Sequence, residues 1–359
     1  MPLDLPEGVS VADMDLLICC IWIVVGFVLL VVGADWLVDG ASDLAKRIGM
    51  PDRVIGLTIV SVGTSLPELV VSLSSATGGY SDMAFGNVTG SCLANLLLVL
   101  GLTALIQPIP LSRRSYRVEI PISIGATVLL LIFANTGNEL SRWEGLILVI
   151  VFVLFLAETV YSGLKEGSAT AIDSEVGEYD EYEEDYDYEE KGTIIAKLRP
   201  LFNKPRPPLI DVAIIAISVI MLKYGADFVV DNAVIVAEAL GVSERVIGIT
   251  VVAIGTCLPE LAASVAAALR GNTDIAIGNI VGSNIANVLL VMGVPAMISP
   301  LPYETAYNLD FILLIVCSAV LVISAFICKK LQKRQRVNRI LGLVYVMIYI
   351  LYIMATSLA

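Results

Sequence analysis

Histidine is absent from all 359 residues, which removes the histidine-based catalytic dyad and the histidine proton relay. The six cysteines (Cys19, Cys20, Cys92, Cys257, Cys317, Cys328) all fall in apolar runs and form no CxxC pair. Without histidine or paired thiolates, zinc, copper and iron–sulfur chemistry are not expected. Charge is also scarce: only 16% of residues are Asp, Glu, Lys or Arg, against 57% hydrophobic and a mean hydropathy of +0.86. A soluble fold of this length cannot hide so much apolar surface, so most of it must face lipid. The first fifteen residues, MPLDLPEGVSVADMD, lack the basic stretch of a signal peptide, and the first apolar run reads as a retained span.

The net charge of −13 is a local feature, because much of it lies in one tract from Glu175 to Glu190. Residues 165–208 combine that tract with a basic, proline-rich RPLFNKPRPP. They read as an acidic linker whose like charges repel and whose apolar content is too low for a core. Clustered carboxylates can serve hard cations, but the tract lacks the spacing and turn glycine of an EF-hand loop.

At ~20 residues per transmembrane helix, the apolar runs predict an all-α polytopic membrane protein of about ten spans. The expected spans are 16–37, 55–76, 84–106, 120–134 and 145–161, then 210–230, 246–269, 275–298, 311–328 and 340–354. The two sets repeat each other. GTSLPELVVSLSSATGGYSDMAFGNVTGSCLAN, from Gly63 to Asn95, returns as GTCLPELAASVAAALRGNTDIAIGNIVGSNIAN, from Gly255 to Asn287. The register holds without a gap: one interval carries Asp35, Arg53, Glu68, Asn95 and Pro108 onto Asp227, Arg245, Glu260, Asn287 and Pro300. Roughly half of the positions between Gly33 and Pro108 are identical in the second copy, which marks an internal duplication.

Five spans per copy is an odd number, so the second copy enters the membrane in the opposite sense. The expectation is two inverted repeats, residues 1–164 and 209–359, with core motifs at 56–101 and 248–293. With both termini outside, nearly all Lys and Arg residues fall on the cytoplasmic side together with the acidic loop. Only Arg142, Lys223 and Arg245 do not, which is a positive-inside signal. An inverted repeat with a midplane site is the architecture of a secondary transporter.

Each motif sets a carboxylate, small hydroxyl residues, Gly and Pro inside an apolar run, where a charge bears at least ~2.5–3.5 kcal/mol on insertion scales. A Gly-Thr-x-Leu-Pro-Glu string fits an interrupted helix better than a span end. Glu68, Thr64, Ser65, Ser91 and Asn95 in one copy, and Glu260, Thr256, Ser283 and Asn287 in the other, are hard oxygen donors. Calcium asks for ~6–8 such oxygens with carboxylates among them, sodium accepts a similar set, and two glutamates repel anions. Gly86, Gly90 and Gly101, with Gly278, Gly282 and Gly293, allow close approach of the third and eighth spans. The paired GAD strings at Asp35 and Asp227 raise the thought of an aspartyl intramembrane protease. For these and for Asp39 and Asp231, helix-end and headgroup contact is the simpler reading.

GTSLPE with GNVTGSCLAN, and GTCLPE with GNIVGSNIAN, resemble the two alpha-repeats of the sodium/calcium exchangers, within the cation/calcium antiporter superfamily. The resemblance covers essentially the whole chain and implies a non-enzymatic antiporter without a cofactor. Its implied partners are transported calcium and sodium and the lipid bilayer, with no nucleic acid, and a prokaryotic plasma membrane suits it. It further implies that Glu68 and Glu260, with the carbonyls of Thr64 and Thr256, bind calcium. Sodium would use Ser61, Thr64, Ser65, Ser91 and Glu260 on one side, and Ala253, Thr256, Ser283 and Glu68 on the other. Asn95 and Asn287 would complete the centre. Two departures stand out: Cys257 replaces the hydroxyl of Ser65 in the second copy, and Asn287 stands where many prokaryotic relatives carry Asp. A calcium/proton antiporter on the same scaffold is the alternative, although proton-coupled relatives usually carry a Glu in the GN motif that is missing here. A cation channel would need a continuous pore, which inverted repeats do not suggest.

Overall fold

The computed structural model describes residues 11–173, 207–239, 255–330 and 336–358. Within them the chain is helical almost throughout. The helices are α1 (Val11–Ile48), α2 (Asp52–Thr64), α3 (Leu66–Thr77), α4 (Ser81–Ile106), α5 (Ser115–Asn135) and α6 (Arg142–Asp173). They continue as α7 (Pro208–Ala239), α8 (Leu258–Leu269), α9 (Thr273–Ile298), α10 (Asn308–Lys330) and α11 (Arg339–Leu358). Eight of them are long and apolar enough to cross a membrane, and α2 with α3 makes a ninth candidate span bent by 45°. The expected seventh span is described only from Gly255 onward, so its first half, with Ala253 and Arg245, lies outside the described residues. The acidic tract does too.

Several helices overrun their expected limits. Helix α6 continues beyond the boundary expected at residue 164 to Asp173, because SATAI offers nothing to break the backbone ladder before the acidic tract begins. Helix α1 reaches Ile48 and ends with Lys46 and Arg47 in its last turn, where cations suit the exposed carbonyls. The expected interruption of the second span is present. Pro67 cannot donate the backbone bond of a continuous helix and sits in the first turn of α3, while Ser65 breaks the helix with φ −87° and ψ 4°. Cys257 does the same ahead of α8, with φ −94° and ψ 3°.

Equivalent contacts occur in both halves. Two-residue strands pair antiparallel, β1 (Ile109–Pro110) with β4 (Arg336–Val337) and β2 (Glu139–Leu140) with β3 (Leu301–Pro302). A Cβ on Gly101 would come within 2.9 Å of the Gly342 carbonyl oxygen, and one on Gly293 within 2.9 Å of that of Gly145. These glycines therefore let α4 pack on α11 and α9 on α6 backbone to backbone. Helices α1 and α7 lie together over one apolar cluster that also takes in Ile55, Val60 and the alanine face of α8. A second, larger cluster joins α4, α5, α6, α9, α10 and α11. Helix α9 is almost entirely buried, whereas α1, α6, α10 and α11 each present large apolar side chains outward, as lipid-facing helices must. The two motifs that carry Glu68 and Glu260 lie at the junction of the two clusters.

Candidate functional site

Two carboxylates define the centre: Glu68 in the first turn of α3 and Glu260 in the first turn of α8 are 1% and 0% exposed. They lie close enough to repel one another, the side chains of Thr64 and Ser65 from the first repeat face Glu260, and no hydrogen bond of ordinary geometry reaches the Glu68 oxygens among the described residues. The helix breaks put them there. Breaking the ladder at Ser65 and Cys257 starts a new helix whose N-terminal dipole end, with its free N–H groups, carries the glutamate.

Neutral oxygens surround the pair. Ser61, Thr64, Ser65, Ser91, Asn95, Ser283 and Asn287 are all buried, Thr256 is half-buried, and Cys257 is buried near both glutamates. Helix α2 brings Thr64 against α9: its Oγ1 stands 3.5 Å from Ser283 Oγ and donates to Asn279 Oδ1 at 3.2 Å. Ser283 Oγ in turn reaches the Ser61 carbonyl at 3.5 Å. This approach depends on small residues, because a Cβ at Gly278 would meet the Arg53 carbonyl at 2.8 Å and one at Gly282 would meet Ser61 Oγ at 2.6 Å. Counterpart partners for Gly86 and Gly90 fall among residues outside the described ones. The Ser91 hydroxyl and the side-chain amide of Asn95 have no hydrogen-bond partner among the described residues, while Ser65 faces Glu260 and Asn287 faces Cys92. Asn95 and Asn287 each lie where a π-helical turn opens, at Ala94–Val99 in α4 and Asn287–Val291 in α9. Such a turn widens the helix locally and frees backbone geometry at a functional position.

Three features were missed in the sequence. Asn87 Nδ2 donates to the Glu68 carbonyl at 3.1 Å and to Ser72 Oγ at 2.9 Å, and Asn279 Nδ2 donates to the Glu260 carbonyl at 3.3 Å and to Ser264 Oγ at 3.0 Å. These asparagines fix the carboxylate-bearing turn of one helix to the next. The signal available was their recurrence inside the GN strings. Asn284 Nδ2 donates to the Cys92 carbonyl at 3.2 Å and crosses α4 with α9 beside the centre. The third is a correction to the reading of the aspartates. Asp35 and Asp39 are not left to headgroup contact; both are ion-paired with Arg270, while Asp227 pairs with Lys223 at 2.5 Å. Separate cation partners do not suit two aspartates sharing one proton, so the geometry gives the protease reading no support.

Chemically, the centre offers two carboxylates, able to carry up to two negative charges, ringed by hydroxyl and amide oxygens in a desolvated position. Desolvated charges without partners are costly, and a hard cation of matching charge is what offsets that cost. Apart from Cys257 the donors around the pair are oxygens, a set that suits a hard cation better than a soft transition metal.

The family model described as sodium/calcium exchanger protein matches residues 19–160 and 210–358. The putative antiporter CaxA of Alkalimonas amylolytica is 36% identical over 94% of this chain and 98% of its own. The sodium/calcium exchanger MaX1 of Methanosarcina acetivorans is 32% identical over 92% of this chain and 96% of its own. Among solved structures, the sodium-calcium exchanger NCX_Mj superposes with a TM-score of 0.75 at 28% identity, over 94% of this chain and 98% of that one. With that match across both halves of the sequence, the chain is a multi-pass membrane protein belonging to the sodium/calcium exchanger family.

Proposed function

We propose that the protein is a secondary antiporter that exchanges sodium for calcium by alternating access, in a prokaryotic plasma membrane. In this reading it has ten spans in two inverted five-helix repeats, joined by a cytoplasmic acidic linker, with both termini outside. The observation that carries it is the pair of fully buried glutamates, one from each repeat, ringed by neutral oxygens from both repeats.

Coupling follows from charge. The two carboxylates balance one calcium or two sodium ions, and either load draws on the same oxygens, so binding one excludes the other. Glu68 and Glu260 with Thr64 and Thr256 take calcium. Ser61, Ser65, Ser91 and Ser283, with Ala253 and the position of Cys257, add the flanking sodium contacts, and Asn95 and Asn287 close the centre. The inverted arrangement is supported by contacts that each pair one half with the other in reciprocal fashion: the two strand pairings, and the Gly101–Gly342 and Gly293–Gly145 approaches. Each gives one repeat's element to the other.

A calcium/proton antiporter remains the second reading, because buried glutamates can carry protons. Against it, the GN motif holds Asn87 and Asn279, whose amides are already spent as donors to the Glu68 and Glu260 carbonyls. The test is calcium uptake into proteoliposomes under an outward sodium gradient, compared with an outward proton gradient. Sodium-driven uptake is expected; uptake driven only by the proton gradient overturns the sodium assignment.

A further inference from the structure

One departure from the correspondence between the repeats lies outside the proposed ion site. On α1, Asp35, Asp39 and Ser42 lie one above another on a single face. Arg270, which ends α8, donates to both carboxylates, and Asn272 Nδ2 in the following turn donates to Ser42 Oγ at 2.6 Å. Three successive positions of α1 are thus clasped to the α8–α9 turn. One repeat interval away, the same face of α7 carries Asp227, Asp231 and Val234, whose side chain can accept no hydrogen bond, and Gly78 and Tyr80 stand where Arg270 and Asn272 would be. Asp227 is held by Lys223 of its own helix, and Tyr80 is exposed. Packing follows the charges: α1 lies against α8, whereas among the described residues α7 and α3 make no comparable contact.

Arg270 lies about 15 Å along α8 from Glu260, at ~1.5 Å per residue, so the clasp closes the gap between α1 and α8 at one mouth of the site. We infer that Arg270 is a positioning residue that seals this mouth, so that the protein rests with its opposite mouth accessible. The inference rests on the antiporter reading for its purpose, since alternating access requires the seal to open once per cycle. The ion pairs are partly exposed, with side chains 19–30% accessible, so they hold the seal without locking it. Pairs of this kind bias a two-state equilibrium by roughly threefold to tenfold.

Cys257, buried near both glutamates, is a native reporter. In sealed vesicles of the full chain, a membrane-impermeant thiol reagent is applied from either side, and alkylation of Cys257 is read by peptide mass spectrometry. Arg270→Gln is expected to raise labelling about threefold to tenfold from the side on which Arg270 lies, cytoplasmic in the proposed topology, and to lower it from the other. The charge swap Arg270→Asp with Asp39→Arg should return labelling toward the parent. Should Arg270→Gln fold poorly, Asp39→Asn carries the same expectation at smaller size. Unchanged labelling, an equal rise from both sides, or a swap that behaves like Arg270→Gln overturns the inference. Labelling needs no ion flux, so it is decided separately from calcium uptake: a shift without sodium-driven uptake would overturn the sodium reading alone.

Discussion

Cys92 and Asn284 occupy the same position in the two repeats and bond to each other: Asn284 Nδ2 donates to the Cys92 carbonyl at 3.2 Å, and Cys92 Sγ to the Asn284 carbonyl at 3.8 Å. In the proposed inverted arrangement the axis relating the two copies would pass between these two residues. Ser91 and Ser283, Asn95 and Asn287, and Glu68 and Glu260 would then take comparable places on either side of one centre. Equivalence has consequences for each pair.

Glu68→Gln and Glu260→Gln should each abolish calcium binding, because each removes one of the two carboxylates of the site and leaves a weaker amide oxygen. Measured by isothermal titration in detergent, both variants are expected to lose calcium affinity by at least ~100-fold while keeping the parent's helical circular dichroism, a charged contact in a dry site being worth about 3 kcal/mol or more. A variant that still binds calcium like the parent would remove that glutamate from the site.

Asn279 joins Thr64 of one repeat to the Glu260 carbonyl and Ser264 of the other. Asn279→Leu removes three buried hydrogen bonds at about 1 kcal/mol each, although Thr64 keeps the Ser61 carbonyl and the Ser283 hydroxyl, so the variant should unfold at lower temperature and bind calcium less tightly. Asn279→Ser, which keeps one donor, should fall between. Parent-like affinity in Asn279→Leu would mean the carboxylate turn holds its place unaided.

Cys257 presents a soft sulfur where the first copy has the Ser65 hydroxyl, and sulfur is a poor ligand for sodium. Cys257→Ser should tighten apparent sodium affinity by about 1 kcal/mol, or roughly fivefold, with little change for calcium. The sodium dependence of calcium release from proteoliposomes reads this directly; identical curves would show that the side chain at 257 faces away from the ions.

With Asn at both 95 and 287, only two carboxylates serve the centre, and no charge is left over for a further monovalent cation. Exchange by the parent should not respond to potassium. Asn287→Asp adds a third negative charge, so its fully loaded site should take up one more positive charge, seen as a steeper dependence on sodium or a new response to potassium. Stimulation of the parent by potassium would refute the charge count.

The membrane class, the duplication and the carboxylate pair were legible in the sequence because each is a local signal. Apolar run length follows from bilayer thickness, and the GTxLPE strings announce their own helix breaks through Pro67 and Pro259, whatever the rest of the chain does. The fold then decided what depends on pairs distant along the chain. Asn87 and Asn279 look like ordinary helix residues until α4 and α9 dock beside α3 and α8, when their amides meet the Glu68 and Glu260 carbonyls. Asp35 and Asp39 read as helix-end carboxylates, and only the packing of α1 on α8 brings Arg270 to them. Gly278 and Gly282 gain their meaning from Arg53 and Ser61, far earlier in the chain, whose atoms leave no room for a Cβ. Hydropathy and repeat identity accumulate along the chain, whereas a hydrogen bond or an ion pair depends on angstrom distances that exist only after the helices have packed.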